Sequence, residues 1–134
     1  MKIIFISCGK TKAKGPCKAR DLYQGALFKK SLAYAEQLGD AVYILSAKYG
    51  IMHPDVIIET YEKTLNKMSK RERQKWAHNI RETMQELGLF RDPEFIYLCG
   101  ERYREGLPKG ITPMEGLSFG RQLQWLNEKL GVNV

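Results

Sequence analysis

The 134-residue chain lacks any apolar run near the ~20 residues that span a bilayer, and Met1 to Ile6 is far shorter than the apolar core of a secretory signal. A cytoplasmic protein with no membrane partner is the expectation. Cysteine is scarce: Cys8, Cys17 and Cys99 are an odd number without C-x-x-C spacing, and neither His53 nor His78 sits in a ligand pattern. Neither a disulfide framework nor a metal site is expected, and no cofactor is implied. Two phosphate-binding signatures are missing as well. Without G-x-x-x-x-G-K-[ST] or G-x-G-x-x-G, P-loop nucleotide hydrolysis and dinucleotide binding are disfavoured. Repeats, heptads and low-complexity stretches are absent too.

What the chain has in excess is positive charge. It carries 22 Lys and Arg against 15 Asp and Glu, a net +7 with a pI near 9.4. Such a balance favours nucleic acids, nucleotides and other phosphorylated partners, because a positive potential concentrates anions.

Three short β-branched and aromatic runs, Lys2 to Ile6, Ala41 to Leu45 and Phe95 to Leu98, read as strands buried on both faces of a parallel sheet. Leu27, Phe28, Leu32, Ala35 and Leu38 recur at helical spacing, with Gly39 as the stop. Ser69 and Glu72 form a capping box that opens a helix to about Leu87, with Trp76, Ile80, Met84 and Leu87 facing inward. A short helical turn is expected at Tyr103 to Leu107, a fourth strand at Gly110 to Thr112, and a last helix over Ser118 to Leu130. Ser46 to Lys67 shows no clear element. The sum is a single α/β domain, a three-layer sandwich with a mostly parallel sheet of three or four strands and helices on both faces.

In open parallel sheets the ligand crevice lies beyond the carboxyl ends of the strands. The segments that follow the strands share a pattern here. Ser7-Cys8-Gly9-Lys10-Thr11-Lys12, Ser46-Ala47-Lys48-Tyr49-Gly50 and Cys99-Gly100-Glu101-Arg102-Tyr103 each open on small side chains and add a cation two or three residues later. Glycine turns offer backbone amides to a phosphate, and Lys and Arg add charge. Convergence of the three would build an anion pocket from Ser7, Cys8, Gly9, Lys10, Lys12, Ser46, Lys48, Tyr49, Gly100, Arg102 and Tyr103. Tyr23 and Tyr61 lie near these loops in sequence and offer further stacking rings. Among the nearby carboxylates Asp55, Glu59, Glu101 and Glu115, Asp55 is the expected acid or base.

At these residues the sequence resembles an uncharacterised bacterial and phage domain family with a Ser-Cys-Gly-Lys-x-Lys start, an Ala-x-Asp-Leu-Tyr-x-Gly-x-x-Phe segment and a Leu-Ser-Ala-Lys-Tyr-Gly segment. These motifs fall at Ser7 to Lys12, Ala19 to Phe28 and Leu45 to Gly50. The likeness runs on through Pro54-Asp55, Ile58, Tyr61 to Leu65, Gly100 and Tyr103. It is distantly similar to the central domain of archaeosine synthases and to the uracil-DNA glycosylase-like group, although the Gly-Gln-Asp-Pro-Tyr motif of the glycosylases is absent. The loops, the charge and this fold-level analogy together lead to the expectation of a pocket that binds a nucleotide or nucleobase of nucleic acid, with cleavage or exchange of an N-glycosidic bond as the reaction expected if the pocket is catalytic. The alternative is a non-catalytic nucleic-acid-binding module that adds Lys67, Lys70, Arg71, Arg73 and Lys75 to the same basic edge.

Overall fold

The computed structural model describes residues 1–9 and 12–131. Strand β1 (Lys2–Ser7) leads through a short strand β2 (Cys17–Lys18) and helix α1 (Ala19–Leu22) into helix α2 (Ala26–Leu38). Strands β3 (Ala41–Ser46), β4 (Gly50–Met52) and β5 (Ile57–Ile58) and a 3-10 turn (Leu65–Lys67) follow. Helix α3 (Lys70–Glu86), strand β6 (Glu94–Leu98), helix α4 (Glu101–Arg104) and helix α5 (Phe119–Leu130) complete the chain.

The main sheet has the order β4-β3-β1-β6. β1 pairs in parallel with β3 on one side and β6 on the other, while β4 folds back antiparallel to β3. Alternate side chains feed two cores. Ile4, Ile6, Ile44, Ile96 and Leu98 pack with Phe28, Leu32 and Ala35 of α2 and Leu126 of α5. Ile3, Phe5, Leu45, Phe95 and Tyr97 pack with Trp76, Ala77, Ile80 and Met84 of α3. Continuous apolar strands are what a sheet covered on both faces requires. The expected three-layer, mostly parallel α/β domain is therefore what the chain forms.

Three local expectations change. The fourth strand is β4, not Gly110 to Thr112. Met52 is buried and Ile51 half-buried, so the tight Ser46–Gly50 turn returns an apolar strand to β3 within the stretch that reads as irregular. Ile111 instead makes a single parallel bridge to Ile96, with its amide donating to Phe95 O at 2.9 Å. The short helix spans Glu101–Arg104, two residues earlier than expected. Finally, α3 begins at the predicted capping box, with Ser69 Oγ and Glu72 Oε1 each accepting the other residue's amide, but Leu87 is 48 % exposed. Gly88, at φ +70, turns the chain so that Leu89 takes the inward place and its amide reaches Met84 O.

Two glycines should respond with opposite signs. A Cβ on Gly110 would lie 2.5 Å from Phe95 O and 2.8 Å from Tyr97 Cε2, backbone and a buried ring that have nowhere to go. Gly110→Ala should cost about 1–3 kcal/mol, read from urea midpoints. Gly120, within α5, has nothing within 4 Å of that position, and Gly120→Ala should stabilise by about 0.5 kcal/mol through helix propensity.

Candidate functional site

Helices α2 and α3 cross from strand to strand on opposite faces, so the carboxyl end of β1 is where the two crossovers diverge and a crevice opens. A cavity of about 480 Å³ occupies it, lined by Ser7, Cys8 and Gly9 at the end of β1, Leu98, Cys99 and Gly100 at the end of β6, and the first turns of α2 and α5. Helix α2 enters with Gly25 at its N-cap and no side-chain cap, so the backbone N–H groups of its first turn have no intrahelical or capping partner among the described residues where Gly25 to Phe28 meet the cavity. Ser31, one turn further along, also lines the wall. It is 3 % exposed and makes no hydrogen bond among the described residues. Phe119, at the start of α5, lines the same cavity with its side chain 62 % exposed, and Gln122 joins it with one amide proton given to Leu117 O.

A smaller pocket of about 300 Å³ shares Cys99, Gly100 and Gln122 with this cavity and is lined by Arg104. Arg104 donates to Glu115 Oε1 at 3.3 Å, yet its Nε is buried without a partner among the described residues. An N–H buried in this way is costly unless something fills the place.

Behind Cys8 stands a cluster of hydroxyls. Ser46, fully buried, donates to Tyr61 Oη at 2.8 Å and accepts the amides of Lys48 and Tyr49, which fixes the turn out of β3. Tyr61 and Tyr23 share a hydrogen bond of 2.6 Å, and Cys8 Sγ lies 3.4 Å from Tyr103 Oη. Burial pushes the phenols of Tyr23, Tyr61 and Tyr103 well above their ordinary range, so they stay protonated donors at neutral pH. Burial likewise pushes the Cys99 thiol up to about 12.

The expected residues divide. Ser7, Cys8, Gly9 and Gly100 line the cavity, and Ser46 and Tyr103 sit directly behind it. Lys10 lies outside the described residues. Lys12 places its Nζ 4.8 Å from the centre of the Tyr61 ring. Lys48 and Tyr49 line a separate groove against α3, and Arg102 a shallow pocket with Lys70 and Arg73. The small residues converge and the described cations fan out, because the chain has already turned away from the sheet edge by the second or third residue after each strand. Asp55 is not brought to the site. The antiparallel β4 carries it back to the opposite edge, beside Ala41 and Val42, where Arg20 Nε donates to it at 2.6 Å and holds its carboxyl below its usual range. No carboxylate lines the main cavity among the described residues. Ser31, Arg104, Phe119 and Gln122 were not singled out from the sequence. The one signal for them was Gly25 directly before an uncapped apolar helix.

The hydroxyl cluster makes a measurable demand. Tyr61→Phe leaves Ser46 and Tyr23 each short of a buried partner and should cost about 1–3 kcal/mol in urea unfolding. Tyr49→Phe removes only a hydroxyl that donates to Glu59 O on an exposed rim, and its cost should stay below about 1 kcal/mol.

The chain is similar along nearly its whole length to an uncharacterized protein of Bacillus subtilis (strain 168), YfjM. The two are 28 % identical over 141 residues, which cover 94 % of this chain and 93 % of the relative. Residues 3–128 match the family described as "Family of unknown function (DUF6884)", and this span takes in every strand and helix that builds the crevice except the first residue of β1 and the last two of α5. The chain belongs to the DUF6884 family.

Proposed function

We propose that the protein binds a nucleotide, free or as a unit of nucleic acid, in the cavity at the carboxyl end of β1. The observation that carries the reading is a 480 Å³ cavity bounded by the uncapped first turn of α2, with the unbonded hydroxyl of Ser31 in its wall. Its volume falls in the usual range for small-ligand sites, about 300–1,000 Å³. An uncapped helix start presents N–H donors and the positive end of a dipole, which suits a phosphate or an electron-rich base edge. Phe119 offers a free aromatic face at the mouth for a base to stack on, and Arg104 in the adjoining pocket offers a guanidinium with an N–H to spare.

The reading is of binding and not of bond cleavage. Hydrolysis of an N-glycosidic bond needs a base within reach of the attacking water, and the carboxylate expected for it, Asp55, is paired to Arg20 at the other edge.

Calorimetric titration with adenosine and thymidine monophosphates, and with the matching nucleosides, tests the proposal. Phe119→Ala should weaken both kinds of ligand by about 5-fold to 100-fold through lost stacking. Ser31→Val should weaken them by about 2-fold to 10-fold. Arg104→Gln should instead erase the advantage of the monophosphate over the nucleoside. Absence of binding at millimolar ligand, or binding indifferent to all three changes, would discard the reading.

A further inference from the structure

On the α3 face of the sheet, a second groove of about 500 Å³ runs between the turn after β3 and helix α3. Three segments distant in sequence each bring a lysine to it: Lys48 from the β3–β4 turn, Lys63 from the stretch before the 3-10 turn, and Lys75 from α3. None of the three is ion-paired among the described residues. The groove's single acid, Glu72, accepts the Ser69 amide and is held below its ordinary range chiefly by that bond, with Lys63 nearby adding to the effect. Its lining therefore carries three positive charges against one negative. Lysines on a merely solvated face would spread apart over a polar surface. Here they border a floor of buried Ala47, Trp76 and Ile80 on which the half-buried Tyr49 and Met68 remain accessible.

We infer that this groove carries the sugar-phosphate backbone of single-stranded nucleic acid, with Lys48, Lys63 and Lys75 on phosphates and the half-buried Tyr49 and Met68 against the bases. The inference deepens the reading of the cavity, since it makes the bound nucleotide one unit of a strand. Groove and cavity lie close together: Trp76 lines the groove, the ring of Tyr103 meets it edge-on with centres 5.8 Å apart, and the Tyr103 hydroxyl touches Cys8 in the cavity wall. These packed rings form the wall between the two, so a strand joining them would run around that wall over the surface. The mixture of cations and apolar surface selects a single strand over a duplex, whose exposed surface is mostly phosphate while its bases are stacked inside. It also selects a strand over an acidic peptide, which would leave the Tyr49 ring without a planar partner.

Fluorescence anisotropy of the full chain with a labelled dodecameric oligothymidylate, across a salt series, tests the groove. Three engaged phosphates give a slope near −2.1 in log K against log salt, a fall of about 20-fold between roughly 50 and 200 mM. The double variant Lys63→Ala/Lys75→Ala should reduce that fall to about threefold, while thymidine monophosphate binds it as it binds the unaltered protein. An unchanged slope in the double variant would overturn the assignment. So would equal binding of a duplex of the same length, or displacement of the strand by poly-glutamate at equal charge. Oligonucleotide affinity no better than that of the monophosphate would also overturn it and leave the cavity reading standing. Loss of monophosphate binding with the salt-dependent strand binding intact would remove the cavity reading and leave the groove.

Discussion

Strand β1 has hydrogen-bonded neighbours on both sides and buried side chains on both faces, and the rest of the architecture follows from satisfying it. A strand in that position has no free edge and no wet face. Each crossover must then lie on one face or the other, α2 against the core of Ile4 and Ile6, α3 against that of Ile3 and Phe5. Because the two leave on opposite sides, neither can cover the end of β1. Ser7, Cys8 and Gly9 are exposed to a crevice by topology before any question of function arises.

An open crevice would still collapse or wander unless its rim were fixed, and the rim here is fixed by hydroxyls. Three buried hydroxyls, those of Ser46, Tyr61 and Tyr23, tie the end of β3 to two segments far from it in sequence. Among them they own three protons but make only two mutual hydrogen bonds. One proton is therefore left over from the mutual bonds. In a low-dielectric setting such a chain holds its members rigidly. The raised phenol pKa values fit this, since burial favours the protonated form.

How much of this could be read from the sequence depended on whether the information was local. The three parallel strands announced themselves because burial on both faces demands unbroken apolar runs such as Ile3 to Ile6. The start of α3 was legible because Ser69 and Glu72 are three residues apart and satisfy one another. β4 was not legible, since three residues, Gly50, Ile51 and Met52, carry no period, and only pairing with β3 makes them a strand. Asp55 misled for the same reason. Its place in sequence, shortly after a sheet edge, suggested the crevice, but the reversal through β4 moved it to the far end, where Arg20 was waiting from α1. Ser31, Arg104, Phe119 and Gln122 come from α2, α4 and α5 and meet only through the packing of helices around the sheet.

The separation of small residues from cations has its own logic. A lysine buried in an empty cavity would lose its hydration with nothing to replace it, several kcal/mol on the order of the penalty for an isolated buried ion. Backbone N–H groups at a helix start carry partial charge and are already oriented, so a cavity lined by them can stand empty at far lower cost. Full charges then belong on the outside, where water supports them and where a net +7 field can still draw a polyanion toward the surface. On this account Lys48, Lys63 and Lys75 sit in an open groove because they must remain hydrated between encounters. The cavity past Tyr103 stays free of lysine and arginine among its described residues, with Arg104 held in a side pocket by Glu115.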